Sequence, residues 1–340
     1  MSLLLETAPA VSRIKRQVAL TDLEVLVQQL ITGLSNGMII ALIALGYTMV
    51  YGIIELINFA HGDLFMLGGF LALTILGAVG VQPELSSTVA IVSCLVGLFL
   101  IVPVFCGALN LLIERFAYRP LRSAPRLAPL VSAIGVSFIL LNLGLFWGGL
   151  PMEVFGHGTT AASPKDFPAL IPFVNLLGEE SVILFTLRDL LVMLVTVPVL
   201  IALTLFVART RTGTAMRAVA QDPRAAQLMG INADRVVSIT FALGGALAGV
   251  ASVVYALYNN TIHFQMGFRV GIDAFSAAVL GGIGNLPGAV LGGILIGIVR
   301  ALSDQYVATQ WTNAIVFALL IMVLVFRPSG LLGATSREKV

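Results

Sequence analysis

The chain has 340 residues, of which 58% are hydrophobic and only 11% are charged. A water-soluble domain has about a quarter of its residues charged, so this composition excludes a cytosolic enzyme and a secreted disulfide-rich domain. The formal net charge of +2 offers no basic face for phosphates, which excludes a nucleic-acid-binding protein. The composition therefore predicts a polytopic membrane protein.

Eight uncharged runs are each long enough to form a membrane helix, which needs about 20 apolar residues. They lie at 25–54, 64–83, 85–113, 127–152, 190–208, 236–262, 274–299 and 305–326. We expect an all-α fold, a polytopic membrane helix bundle of about eight to ten membrane elements with broken or re-entrant segments. Residues 1–24 would form a polar leader, 25–333 the transmembrane domain and 334–340 a cytoplasmic tail.

The positively charged residues divide the loops into two groups, and the bias of lysine and arginine sets the orientation of membrane helices. Four arginines occupy the loop at 115–126 and five occupy the loop at 209–235. Both loops are predicted to face the cytoplasm. The loop at 153–186 contains four acidic residues and one lysine, so it is predicted to face outward.

Two segments disturb a simple alternation of helices. The run 25–54 is about 45 Å long as a helix, too long for one upright span and short for two. We expect a broken or re-entrant element around Gly46–Gly62 that returns the N-terminus to the cytoplasmic side. Downstream, Arg269 and Asp304 are both assigned to the outer side, so an even number of membrane crossings must separate them. We therefore expect a hairpin of two short helices with its turn at Gly281–Gly288. Irregular backbone at membrane depth is tolerated only in a protein interior or a water-filled cavity, which points to a transport path.

The first candidate site is the polar joint between the first two runs. Asn58, His61 and Asp63 place an amide, an imidazole and a carboxylate there, and ionisable groups in a membrane are costly and usually functional. Three interpretations stay open. In the first, the joint is a wet loop in which Asp63 caps a helix that begins at Leu64. In the second it is a structural elbow, and in the third it is a surface that contacts a transported substrate.

The second candidate site is the turn of the glycine hairpin, either as part of the translocation path or as a structural elbow. Its residues are Gly282, Gly284, Asn285 and Gly288. Small residues four positions apart let helix backbones approach closely in lipid, so we expect tight packing at all three glycines. Similar spacings occur at Gly33/Gly37 and Gly293/Gly297.

The third candidate site is a short helix in the cytoplasmic loop at 209–235. Asp222 and Pro223 form a typical helix start, and Gly230 is a typical stop. The two alanines between them would give the helix a flat face that presses into a groove on another protein. The residues expected to carry this contact are Arg217, Asp222, Pro223, Ala225, Ala226 and Gly230.

Motifs for catalysis are missing from the sequence. None of the three lysines follows the glycine pattern of a phosphate-binding loop, so we do not expect this chain to hydrolyse ATP itself. The three histidines form no HExxH zinc motif, and we predict no metal, cofactor or catalytic residue. An ion-coupled secondary transporter is the rival class, but it needs charges well inside a span. The charges nearest the spans stand close to run ends: Glu55, Asp63, Asp273 and Arg300.

Several of these segments resemble the permease subunits of branched-chain amino acid ABC importers. The similarity runs from about Val27 to Gly333. It includes ALIALGYTMVYGI at 41–53, INFAHG at 57–62, LGGIGNLPGA at 280–289 and FRPSGLLG at 326–333. The resemblance implies a multi-pass protein of the inner (cytoplasmic) membrane that forms the path for amino acids delivered by a binding protein. Related permeases for urea or short-chain amides share much of this pattern and are the alternative.

The resemblance also implies partners. These are a second permease subunit, homologous or identical, two cytoplasmic ABC ATPases, a periplasmic or extracytoplasmic substrate-binding protein, and membrane lipid. The segment from Ala225 to Gly230 is similar to the coupling loop that docks into the ATPase. Arg224 stands where the general ABC pattern often has glutamate.

Overall fold

A computed structural model describes residues 22–55, 58–81, 87–122, 124–125, 127–158 and 160–333. The predicted tail at 334–340 and residues 1–21 of the predicted leader lie outside these ranges. Within them, seven helices are long and apolar enough to cross a membrane. The prediction of an all-α, polytopic membrane bundle is therefore confirmed.

Most of the described helices are joined by short connections. The helices are α1 (Asp22–Ile54), α2 (His61–Val79), α3 (Thr88–Ile113), α4 (Leu127–Gly148), α5 (Leu187–Arg209), α6 (Arg211–Gln221), α7 (Pro223–Leu228), α8 (Ala233–Asn259), α9 (Met266–Gly281), α10 (Leu286–Tyr306) and α11 (Thr312–Phe326). The long loop at 149–186 separates α4 from α5. A π-helical turn (Glu114–Tyr118) and a 3-10 turn (Arg119–Leu121) extend α3, and another 3-10 segment lies at Glu153–Gly158. The two-residue strands β1 (Lys165–Asp166) and β2 (Thr261–Ile262) pair antiparallel. The long helices α1 to α5, α8 and α10, together with the shorter α9 and α11, agree with the expected eight to ten membrane elements.

Helix α1 begins on the side of the predicted outer loop. The side chain of Gln28 accepts a hydrogen bond from the backbone N–H of Leu184 at 2.7 Å and donates one to the carbonyl of Leu184 at 3.2 Å. The helix then runs without a break to Ile54, and α2 begins at His61, inside the predicted interval Gly46–Gly62. The expected interruption between Gly46 and Gly62 is therefore present, but it follows α1, a continuous helix of 33 residues, instead of breaking it. The side on which the N-terminus lies stays a prediction, since residues 1–21 are outside the described ranges.

The predicted glycine hairpin is present as α9 and α10, joined by the turn at 282–285. The turn lies beside Gly52, near the end of α1, where Gly284 faces it. At the other end of α10, Gln305 accepts a hydrogen bond from Gln29 at 3.2 Å. Both ends of the hairpin thus lie at the end of the bundle that carries the loop at 153–186, as the positions of Arg269 and Asp304 predicted. That this end faces outward stays a prediction.

The closest helix packing joins α1 to α10 through the two glycine pairs noted in the sequence. A methyl group on Gly33 would lie 2.7 Å from the Cα of Ile298, and one on Gly37 would lie 2.7 Å from the Cα of Ile294. From the other side, a methyl group on Gly297 would overlap the backbone of both α1 glycines. Lipid offers no hydrophobic reward for helix association, so backbone contact of this kind stabilises the pair.

A reporter fusion tests the assignment of sides. A reporter placed after Arg224 should be active in the cytoplasm, and one placed after Asp166 should be active outside, because arginines mark the cytoplasmic loops. The measurement is the activity of a two-sided reporter pair in whole cells. Activity of both fusions on one side would contradict the orientation given to every helix.

A second experiment tests the α1–α10 contact. Gly297→Leu should lower the melting temperature of the purified protein, because overpacking a close contact costs about 1–3 kcal/mol. The matched control is Gly135→Leu on α4, where an added Cβ has nothing within 4 Å. Thermal unfolding in detergent, followed by size-exclusion chromatography, gives both values. Equal melting temperatures for the two variants would show that the contact is not tight.

Candidate functional site

The polar joint between α1 and α2 is folded back into the bundle. Asn58 and His61 are buried, and the ring of His61 meets Tyr47 edge to face with centroids 4.6 Å apart. The same ring lies against Gly46, which precedes the end of α1 by about 12 Å of helix. The joint has the geometry of an elbow, so α2 begins well inside the depth reached by α1.

Asp63 does not cap a helix. Helix α2 begins at His61, upstream of the predicted start at Leu64, and Asp63 is buried in its first turn. Its Oδ2 accepts a hydrogen bond from the hydroxyl of Ser137 on α4. Among the described residues, its Oδ1 and both ring nitrogens of His61 have no hydrogen-bond partner. The wet-loop interpretation is therefore wrong for the polar residues, since Asn58, His61 and Asp63 are buried, whereas Glu55 and Phe59 are exposed.

The elbow contacts the glycine hairpin directly. A methyl group on Gly62 would lie 3.0 Å from the Cα of Gly271, and one on Gly267 would lie 3.0 Å from the Cα of Asp63. A small apolar cleft opens next to this contact, between α1 and α9. It is lined by Tyr47, Thr48, Tyr51, Phe275, Ala278, Val279 and Ile283. Two segments that are far apart in sequence therefore form one surface.

The hairpin turn meets the prediction of tight packing at two of its three glycines. Gly282 lies against Gly333, and Gly288 lies against Gly281. Gly284 is exposed, and the nearest atom to an added Cβ is the Cα of Gly52 at 3.8 Å, so the prediction is wrong there. Its φ of +86°, which glycine adopts readily, explains the residue instead.

Asn285 holds the turn in shape. Its Oδ1 accepts from the backbone N–H of Gly288 at 2.9 Å, and its Nδ2 donates to the carbonyl of Leu332 at 2.7 Å. The first bond caps the N-terminus of α10. The second fastens the turn to the segment after α11, so the residue stabilises two connections at once.

Asn58 belongs to a buried hydrogen-bond chain whose other members sequence reasoning missed. Its Nδ2 donates to Asn110 Oδ1 at 3.2 Å, and Asn110 Nδ2 donates to the carbonyl of Phe241 at 2.7 Å. The hydroxyl of Tyr118 donates to Asn58 Oδ1 at 3.1 Å. One signal was available, since Asn110 is a lone amide in the apolar run 85–113.

Two arginines of the loop at 115–126 pair with carboxylates of neighbouring elements. Arg119 and Arg122 each lie 2.5 Å from a carboxylate oxygen of Asp234, in the first turn of α8. Arg122 also pairs with Glu114, a buried carboxylate that accepts from the hydroxyl of Ser238 at 2.8 Å. The C-terminal end of α3, on the side predicted to be cytoplasmic, is therefore fastened to α8.

The predicted start of the cytoplasmic short helix is confirmed. Asp222 Oδ1 accepts from the backbone N–H groups of Arg224 at 2.8 Å and Ala225 at 3.0 Å, with Pro223 at the first helical position. Gly230 follows the helix with a φ of +82°. Arg217 donates to the carbonyl of Val207, which holds α6 against the end of α5.

The predicted alanine face of α7 is divided, because Ala225 is exposed and Ala226 is buried. Ala226 is only 4% exposed and packs inward in an apolar cluster with Val219 and Val236. Leu228 and Met229 are 89% and 83% exposed. Sequence reasoning missed them because a hexapeptide helix shows no periodicity that separates its inner face from its outer face.

The outer loop also carries defined structure. Lys165, its single lysine, donates from Nζ to the carbonyl of Phe155 at 3.0 Å and that of Thr160 at 2.6 Å. Burial lowers the pKa of this ammonium group. Nearby, Phe173 and Leu177 are exposed, so the loop presents apolar side chains on the predicted outer surface.

Comparison with known proteins assigns the family. Residues 29–324 match the family described as "Branched-chain amino acid transport system / permease component". The chain is 41% identical over 318 residues to the high-affinity branched-chain amino acid transport system permease protein BraD of Pseudomonas aeruginosa, covering 92% of this chain and 97% of that protein. It is 40% identical, with the same coverage, to the permease proteins LivH of Salmonella typhimurium and Escherichia coli. No solved structure matches. The chain therefore belongs to the family of branched-chain amino acid transport system permeases.

Proposed function

We propose that this chain is the permease subunit of an ABC importer that carries branched-chain amino acids across the inner (cytoplasmic) membrane. The observation that carries the proposal is an identity of 40–41% over 92% of the chain to relatives named for this transport. Their names favour branched-chain amino acids over urea or short-chain amides. The sequence has no phosphate-binding loop of its own, so separate subunits must supply ATP hydrolysis.

The partners follow from this assignment. Two cytoplasmic ABC ATPases would bind at the arginine-rich face, and a second permease, homologous or identical, would complete the translocation path. A periplasmic or extracytoplasmic binding protein would deliver the substrate to the outer loop, where Phe173 and Leu177 are exposed. The importer then works by alternating access, in which ATP binding moves the coupling segments and the permeases open to one side at a time.

The elbow and the hairpin are proposed to line the path. The cleft beside them is narrow and has an apolar lining that includes Phe275 and Val279, so it would have to widen to admit a branched aliphatic side chain. Asp63 adds a buried carboxylate with one unpaired oxygen within the described residues. That oxygen is an acceptor of the type that the ammonium group of an amino acid needs.

The ATPase contact is proposed at Leu228 and Met229. Both side chains are almost fully exposed on the side predicted to be cytoplasmic, where no lipid covers them. An apolar pair at the end of a short capped helix fits a hydrophobic groove on a partner, and burial there removes apolar surface from water. This surface replaces the alanine face expected from the sequence, since Ala226 packs against the permease itself.

Substitution of this surface tests the proposal. The double variant Leu228→Asp/Met229→Asp should fail to co-purify with the ATPases and keep the melting temperature of the wild type, because both side chains lie outside the folded core. The matched control is Leu228→Met/Met229→Leu, which keeps an apolar surface and should retain binding. Ala226→Glu should instead unfold or destabilise the permease, since an unpaired buried charge costs several kcal/mol. Normal co-purification of the aspartate variant would move the contact elsewhere.

Transport itself needs the whole complex. Vesicles that hold this chain with its second permease and ATPases should accumulate radiolabelled leucine only when ATP is inside and binding protein is outside. Vesicles with this chain alone and an ion gradient should accumulate none. Uptake driven by the ion gradient alone would favour a secondary transporter. Uptake of urea or a short amide in place of leucine would favour the alternative substrate class.

A further inference from the structure

We propose that the π-helical turn Glu114–Tyr118 is a relay that transmits movement of the coupling segment α6–α7 to the buried elbow at residues 58–63. The inference rests on the proposed function, because a relay matters only if ATPase subunits move the coupling segment. Glu114 and Tyr118 would be the positioning residues between the coupling segment and the elbow. Three successive contacts carry it.

The first contact joins the coupling segment to α8. The backbone N–H of Ile231 donates to the carbonyl of Ala226 at 3.0 Å, and Ala226 shares an apolar cluster with Ala233 and Val236 at the start of α8. Asn232 caps α8 by accepting from the N–H of Arg235 at 3.0 Å. Because the connection is short and packed, displacement of α7 must displace the first turn of α8.

The second contact joins α8 to the end of α3. Asp234 pairs with Arg119 and Arg122 at 2.5 Å each. Exposed ion pairs contribute little on their own. Arg122 also neutralises Glu114, however, and Ser238 donates to the same buried carboxylate at 2.8 Å. Removing a partner from a buried charge is costly. The end of α3 and the start of α8 are therefore held at a fixed position relative to each other.

The third contact joins the end of α3 to the elbow. Glu114 and Tyr118 stand at opposite ends of the π turn, and both are buried. The hydroxyl of Tyr118 donates to Asn58 at 3.1 Å. Asn58 in turn donates to Asn110 of α3 at 3.2 Å. One five-residue turn therefore holds the start of α8 at one end and the elbow at the other. Single π turns within α-helices are rare and frequently mark functional sites.

Two substitutions break the relay at different points. Asp234→Asn removes the ion pairs to both arginines, and Tyr118→Phe removes only the hydroxyl that reaches Asn58. We expect each complex to assemble and to hydrolyse ATP at its basal rate. The leucine transported per ATP should fall at least about fivefold, the lower end of typical coupling between sites. The measurement is leucine uptake and phosphate release in the same vesicles.

Control variants separate a relay from simple structural support. Arg235→Gln removes a charge next to Asp234, from a residue that makes none of the described ion pairs, and should leave coupling unchanged. Asp234→Glu keeps the carboxylate and should restore most of the coupling. Arg119→Gln removes one of the two arginines that pair with Asp234 and leaves the Arg122–Asp234 and Arg122–Glu114 pairs intact, so it should lower coupling less than Asp234→Asn does. The double variant Asp234→Asn/Tyr118→Phe should be no worse than the poorer single variant, because both lie on one route.

The outcomes are distinguishable. A wild-type complex that does not transport leucine would overturn the proposed function and the relay with it. A wild-type complex that transports, with unchanged leucine per ATP in Asp234→Asn and Tyr118→Phe, would overturn the relay and leave the proposed function standing. Additive losses in the double variant would also overturn it, since they indicate two independent supports.

Discussion

Close backbone contact between α1 and α10 is the constraint on which the rest of the fold depends. Gly33 and Gly37 meet Gly293 and Gly297 with no room for a side chain on either helix, and in lipid such contact replaces the hydrophobic effect as the source of association. It aligns the long α1 with one arm of the glycine hairpin. The turn at 282–285 then comes to lie beside the end of α1, and α9 is brought against the start of α2.

The elbow is a consequence of that arrangement. Polar groups at membrane depth must find partners inside the protein, and Asn58 finds them in Asn110 and Tyr118. His61 occupies the space that Gly46 leaves open on α1. The segment is thereby fixed between α1, α3 and α9, so a shift in any one of these helices changes the surface beside the apolar cleft.

Exposed apolar residues occur both on the membrane helices and on the loop at 209–235, and their surroundings differ. Leu100 on α3 and Phe138 on α4 are exposed in helices long and apolar enough to cross a membrane, where lipid or a second permease would cover them. Leu228 and Met229 are exposed beyond the membrane helices, on the side of the arginine-rich loops. The same apolar chemistry therefore suits lipid in the first case and a protein partner in the second, and the buried relay through Glu114 and Tyr118 would connect that partner to the elbow.

The sequence by itself determined the features that depend on neighbouring residues. The length of an uncharged run predicts a span, Asp222 and Pro223 predict a helix start, and the glycines near 282 predict a hairpin turn, since each signal is local. Only the tertiary structure decided which side of α7 faces inward, where α1 begins relative to the outer loop, and which carboxylates the arginines at 119 and 122 reach. Burial and pairing arise from contacts between residues more than a hundred positions apart, as between Arg122 and Asp234, and no local pattern records them.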